Sequence, residues 1–214
     1  MTQHPSDNHW HEMWRDNRIG FHQSEVSAFL EKYWENNHRN VFVPLCGKTK
    51  DMVWLREQQH RVIGVEFNET AIRDFFGENE IEHTVERKEN LHLFHNEHYQ
   101  LYCNNFFDLP ILSEVEIVFD RAALVALPID IRKKYVEYLK KITPNCMRIL
   151  LITYEYDQQQ MSGPPFSITH DMVKDLYHDH ETIDKLDERD VLQLLPMFQK
   201  RLSFMKECVY QIHR

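Results

Sequence analysis

Residues 41–67, VFVPLCGKTKDMVWLREQQHRVIGVEF, decide the fold. A first apolar run, 41–45, breaks at Pro44-Leu45-Cys46-Gly47. A helical stretch then carries Met52, Val53 and Leu55 toward His60, and a second apolar run, 61–66, ends on Glu66. Strand, turn, helix and strand in that order make a parallel βαβ unit. Glu66 lies 19 positions beyond Gly47 (66 − 47 = 19). At that distance, a carboxylate ending the second strand reaches both hydroxyls of a ribose held over the first turn. Phosphate binders need several glycines in this turn, so that backbone N–H groups can surround the anion. Here there is one glycine and a proline. The expected ligand is therefore a nucleoside without a pyrophosphate, with S-adenosylmethionine the leading candidate.

Gly47-Lys48-Thr49 imitates the tail of a P-loop. That loop needs a further glycine five residues before Gly47, where this chain has Phe42 in a strand. Lys48 and Thr49 then read as the start of the helix. Cys46 is expected to be buried and inert, with no base close in sequence to activate it.

Outward from this unit, strands and helices alternate, which predicts an α/β fold with a mostly parallel sheet. Glu69–Phe76 reads as a helix stopped by Gly77. Period-two patterning over 83–86, 91–94 and 99–103 reads as strands, and 115–119 as a short strand running into Asp120-Arg121. Pro128 opens a helix with Ile131, Tyr135, Leu139 and Ile142 on one side, 148–153 is a buried strand, and Thr169 caps another helix. The stretches 182–186 and 202–212 read as two closing strands with a short connection, forming an antiparallel edge. Ligands in such sheets bind at the carboxyl ends of strands, here Leu45–Gly47, Glu66, Asn104–Phe106 and Asp120-Arg121. Near the N-terminus, Trp10, Met13 and Trp14 share a helical face. Residues 1–22 are expected to form an aromatic lid on a single domain spanning 1–214.

The 214 residues carry a net charge of −9, which disfavours a nucleic-acid partner. No apolar run spans a bilayer, and the N-terminus lacks the pattern of a secretory signal. Cys46, Cys103, Cys146 and Cys208 are scattered without a C-x-x-C pair, as expected of free thiols in a cytoplasmic protein. His92, His95 and His98 recur every third residue, but strand alternation points such rings apart, so no metal site is expected.

Five segments carry a family resemblance: Val43–Lys48, Gly64–Glu66, Phe107–Pro110, Asp120–Leu124, and Tyr156-Asp157 with Gly163–Phe166. With Trp10, Trp14 and Phe21-His22-Gln23, they resemble the thiopurine S-methyltransferase family in a bacterial form, over nearly the whole chain. The resemblance implies the class I methyltransferase fold: a Rossmann-like, seven-stranded sheet with one antiparallel strand and helices on both faces. It implies S-adenosylmethionine as cofactor, S-adenosylhomocysteine as product, and the sulfur of aromatic or heterocyclic thiols as acceptor, extending to selenium and tellurium compounds. It assigns Trp10, Leu45, Glu66, Asn105, Phe106 and Arg121 to the cofactor, and Phe21 and Arg121 to the acceptor. Gly47 joins the cofactor set through the turn, and Trp14 the acceptor set through its place beside Trp10. Asp120-Arg121 reads as the catalytic pair, with Arg121 holding the acceptor and Asp120 orienting Arg121. The expected partner is a small thiol or chalcogen compound met by a monomer. Two rivals share the fold: methyl transfer to a macromolecule or another small molecule, and adenosyl-nucleoside binding without catalysis.

Overall fold

A computed structural model describes residues 12–14, 16, 23–35, 39–88, 91–121 and 123–214. Helix α1 (Ala28–Tyr33) precedes the expected unit, which appears as β1 (Asn40–Val43), α2 (Lys50–Glu57) and β2 (Arg61–Glu66). Then come α3 (Glu69–Glu78), β3 (Thr84–Lys88), β4 (Leu91–His95), β5 (Tyr99–Cys103), β6 (Ile117–Asp120), α4 (Ala123–Ala126) and α5 (Ile129–Ile142). The chain closes with β7 (Arg148–Glu155), α6 (His170–Leu176), β8 (Thr182–Asp190), α7 (Pro196–Gln199) and β9 (Lys206–His213). All the strands lie in one sheet of order β3-β4-β5-β2-β1-β6-β7-β9-β8. Strands β5, β2, β1, β6 and β7 pair in parallel, and β9 runs against both β7 and β8. These seven strands form the expected sheet, with β9 reversed. The antiparallel hairpin β3–β4 extends its other edge to nine strands.

Side-chain alternation divides the core in two. Phe42, Ile63, Val65, Val118, Ile149 and Leu151 pack with Tyr135, Val136, Leu139 and Val173 of α5 and α6. The intervening Val41, Val43, Val62, Phe119, Leu150 and Ile152 pack with Phe29, Leu30, Met52, Leu55, Ile72 and Phe75 of α1 to α3. Helices therefore cover both faces. The central strands read as continuous apolar runs because each face meets a layer of helices.

Element ends differ from expectation for identifiable reasons. The first strand stops at Val43, because Leu45 takes a left-handed φ of 48° in the turn. Helix α3 passes through Gly77 to Glu78. Its left-handed terminator is Glu80 (φ 54°), and the Ile81 N–H reaches back to the Phe76 carbonyl at 2.9 Å. Gln59 (φ 67°) ends α2 in the same way, short of His60. The connection between the closing strands is long, not short: residues 191–205 carry a 3-10 turn and α7 over a small core of Tyr156, Met161, Leu202 and Met205.

Candidate active site

Strand order reverses between β2-β1 and β6-β7, and a cavity of about 400 Å³ opens there at the carboxyl ends of the strands. Its floor is the turn after β1. The Cys46 N–H bonds the Val65 carbonyl at 2.9 Å, which pulls the turn onto β2. Gly64 makes that approach possible, since a Cβ there would meet Cys46 Sγ at 2.9 Å. Gly47 holds φ +52°, and the Trp14 indole lies over it, 3.3 Å from where a Cβ would stand. Two of the turn's four residues, Leu45 and Gly47, are left-handed, and Leu45 holds that conformation without a glycine's freedom.

Glu66 forms the adjacent wall and is buried. Its Oε2 accepts the Gly47 N–H at 3.1 Å, and its Oε1 accepts the Asn68 N–H at 2.9 Å. Burial pushes its carboxyl up to about 7, with those backbone donors working in the opposite direction. A third backbone donor is Phe67, and a carboxylate with about four lone-pair sites retains accepting capacity beyond these bonds. Burial and the nearby Glu66 charge push the Cys46 thiol well up, so it stays protonated.

At the other end of the cavity, Arg121 Nη1 donates to Asp51 Oδ2 at 2.5 Å, and Nη2 donates to Gln23 Oε1. Asp51, in the first turn of α2, is buried and also accepts the Ser27 N–H (2.8 Å) and the Thr49 hydroxyl (3.0 Å). Burial opposes the Arg121 charge, but the carboxylate of Asp51 and neighbouring groups outweigh it, and the guanidinium stays cationic. Gln23 Nε2 donates to the Tyr154 hydroxyl at 3.0 Å. The 163–165 loop and Leu195, Met197 and Phe198 from the long connection complete this end.

The structure gathers Trp14, Leu45, Gly47, Glu66 and Arg121 around this one cavity. Trp10 and Phe21 lie outside the described residues. Asn105 and Phe106 reach the same end of the sheet without lining the cavity. Asn104 N–H bonds the Glu66 carbonyl at 3.1 Å, the Asn105 side chain accepts the Phe107 N–H, and Phe106 packs against Phe42 and Tyr135. The expected Asp120-Arg121 pair is not found: consecutive residues leaving a strand face opposite ways. Arg121 turns toward α2, whereas Asp120 turns into the α5 layer, accepting from Tyr135 Oη (2.7 Å) and the Ala123 and Leu124 N–H groups. Burial raises the Asp120 carboxyl to about 6. The three histidines part company: His95 pairs with Glu86, His98 with Glu97, and His92 faces Glu69. Among the described residues, no three metal-ligating side chains converge, and no helix is long and apolar enough to cross a membrane.

Sequence reasoning missed Asp51, Tyr154 and the apolar residues of 195–198. Tyr154 was within reach, since it sits near the carboxyl end of β7, where the same strand-end rule applies. Asp51 gave no signal, because an acidic residue in a first helical turn is ordinary capping chemistry.

The family model for thiopurine S-methyltransferase matches residues 6–214. Thiopurine S-methyltransferase of Bordetella petrii is 42% identical over 212 residues, covering 96% of this chain and 97% of that protein. The Marinobacter nauticus enzyme of the same name is 41% identical over 198 residues, 90% of each. Among solved structures, the 1,6-didemethyltoxoflavin-N1-methyltransferase of Burkholderia thailandensis, with S-adenosylhomocysteine bound, superposes with a TM-score of 0.62. Its identity is 14%, covering 100% of this chain and 92% of that one. A methyltransferase from Methanosarcina mazei gives a TM-score of 0.63 at 12% identity, covering 89% and 98%. At such identities the structures speak to the fold.

Proposed function

The chain belongs to the thiopurine S-methyltransferase family, and from that premise we propose that its cavity binds S-adenosylmethionine and methylates the sulfur of small heteroaromatic thiols. The observation that carries this reading is the buried Glu66 carboxylate facing the cavity beside the Gly47 turn, held by backbone N–H groups of Gly47, Phe67 and Asn68. Vicinal ribose hydroxyls fit the accepting capacity that remains. The turn carries one glycine where pyrophosphate binders carry several, which fits an adenosyl group joined to an amino acid. When bound, the cofactor supplies an electrophilic methyl on a cationic sulfur, and its transfer to a thiolate turns two charged species into two neutral ones, which a water-poor cavity favours.

The remaining chemistry belongs to the chain. Glu66 binds and orients the nucleoside. The Trp14 ring lies over the Gly47 turn and supplies an aromatic face, worth about 0.5–2 kcal/mol to a neighbouring cation. Arg121, fixed by Asp51 and Gln23, presents positive charge to an anionic acceptor. The Cys46 thiol, shifted upward, does not supply a base, and neither does Tyr154, whose hydroxyl burial lifts to about 12. An acceptor that ionises on its own near neutral pH removes the need for one. Soft selenium and tellurium anions meet the same requirement. The free cysteines fit a reducing cytoplasm, and we place the protein there as a monomer.

The test is incubation of the purified protein with methyl-labelled S-adenosylmethionine and, in parallel, a heteroaryl thiol, selenite with a reductant, and tellurite with a reductant. Label appearing in a thioether supports the reading. Binding of the donor without transfer to any acceptor would leave a nucleoside-binding protein in its place.

A further inference from the structure

Three residues of the Gly163–Phe166 segment line the cavity, and the fourth, Phe166, does not. Its ring packs against the start of its own loop. Gly163 holds φ +83°, and a Cβ there would stand 2.5 Å from the Phe166 ring. The arch of Gly163, Pro164 and Pro165 is thus folded onto that ring, with no room for a side chain at its first residue. The guanidinium of Arg132 lies over the same ring, 5.6 Å from its centroid.

Arg132 comes from α5 and is buried at 3% exposure. Its Nε donates to the Leu127 carbonyl at 2.9 Å, and its Nη1 meets Met172 Sδ of α6 at 3.8 Å. Burial pushes its pKa down, and among the described residues Tyr156 alone works the other way. A buried arginine without a carboxylate partner is a costly residue to keep for stability alone. Its contacts show what it joins. Leu127 directly follows α4, whose Val125 and Ala126 line the cavity, and Phe166 directly follows the arch. The Phe166 N–H donates to the Val125 carbonyl at 2.7 Å, so the two strips of wall are linked by backbone on one side and by the Arg132–Phe166 stack on the other. The Tyr156 hydroxyl holds the arch separately, donating to the Pro165 carbonyl at 2.6 Å. Loss of the stack therefore loosens the arch without releasing it.

We propose that Arg132 and Phe166 are positioning residues for methyl transfer. Neither lines the cavity; together they set the gap between Val125-Ala126 and the Gly163–Pro165 arch, and the acceptor ring is held in that gap. This rests on the methyl-transfer reading above, and the test separates the two. Wild type, Arg132→Met, Phe166→Leu and the double variant are compared for transfer to benzenethiol, with kcat and KM measured separately, S-adenosylhomocysteine affinity by calorimetry, and melting temperature. Each single variant should raise the thiol KM by about tenfold, with kcat and cofactor affinity within about threefold of wild type. Arg132→Met should melt within a few degrees of wild type, since the charge it removes has no acid partner. The double variant should cost no more than the worse single one, because both act through one stack. A KM unchanged within about twofold in a folded variant overturns the proposal and leaves the methyl-transfer reading standing. So do losses that multiply in the double variant, or a cofactor affinity that falls as far as the KM rises. If Phe166→Leu fails to fold, the KM of Arg132→Met decides alone by the same limit. A wild type that binds the cofactor and methylates no thiol overturns both.

Discussion

The Glu66 side of the cavity and its Arg121 side are assembled in different ways. Gly47 and Glu66 belong to one βαβ unit and stand 19 residues apart. On the Arg121 side, Gln23 meets Arg121 across 98 residues and Tyr154 across 131, while the 163–165 loop and Leu195, Met197 and Phe198 fill the remaining wall. The first end is fixed by backbone, since turn, strand register and backbone N–H donors from Gly47, Phe67 and Asn68 hold one carboxylate. The second is fixed by side chains that find one another only when the sheet has closed. Substitutions at the second end leave the first end's backbone bonds in place.

The largest effect that could break this comparison is at Glu66. Replacing it with alanine removes both acceptors for a ribose, and calorimetry should show S-adenosylmethionine binding weakened by about a hundredfold or more. Normal affinity would mean that the nucleoside sits elsewhere. Next in size is Arg121→Ala, which should lower kcat/KM for a thiol by about a hundredfold while changing cofactor affinity by less than about threefold. It should also lower the melting temperature, because Asp51 would keep its buried charge without a cation. A loss of cofactor affinity larger than the loss of acceptor turnover would merge the two ends into one.

A smaller effect sharpens the distinction through pH. The Glu66 carboxyl is raised to about 7 from 4.5, so between those values the folded protein holds a proton that the unfolded chain has released. Ligand-free stability therefore falls as pH rises through that window. Ribose hydroxyls donate to the ionised form, so cofactor affinity should move the other way, rising by about tenfold from pH 6 to pH 8. Binding near pH 6.5 should release a proton, measurable in buffers of different ionisation enthalpy. Glu66→Gln should flatten both trends. A pH-independent affinity in the wild type would mean that the carboxylate does not meet the ligand.

The same contrast explains what the sequence disclosed. The Glu66 side was legible because a single-glycine turn and a carboxylate 19 residues on are local signals with one geometric meaning. The helices and strands of the core were legible from their periodicity, and Thr169 caps as its residue type predicts, whereas Thr49, read as part of the first turn, is the cap of α2. The Arg121 side was legible only where a residue sat beside a recognised strand end, as Arg121 does. Asp51 looks like ordinary helix chemistry until Arg121 arrives from β6. The cavity role of Met197 and Phe198 depends on a connection whose length was misjudged, because Leu202 reads as strand yet packs under α7. Glu80 in place of Gly77 at the end of α3 shows the same limit, as backbone hydrogen bonds can place a non-glycine residue in the left-handed region.

The smallest predicted effect tests the side of the sheet on which chemistry occurs. Asp120 and Arg121 are neighbours in sequence, but Asp120 faces Tyr135 and the start of α4 and does not line the cavity. Asp120→Asn keeps an oxygen for those donors, so kcat/KM for a thiol should stay within about twofold of wild type. Stability should respond to pH in a specific direction. The Asp120 carboxyl is raised to about 6 from 3.8, so the wild type must charge a buried group as pH rises through about 6, and its stability falls there. The uncharged amide has no such transition. The melting temperature of the variant relative to wild type should therefore climb by a few degrees between pH 5 and pH 8, since a tenfold change in proton affinity on folding is worth about 1.4 kcal/mol at most. Loss of turnover without that change in melting behaviour would return Asp120 to the acceptor side, and strand alternation would then be the wrong guide to this site.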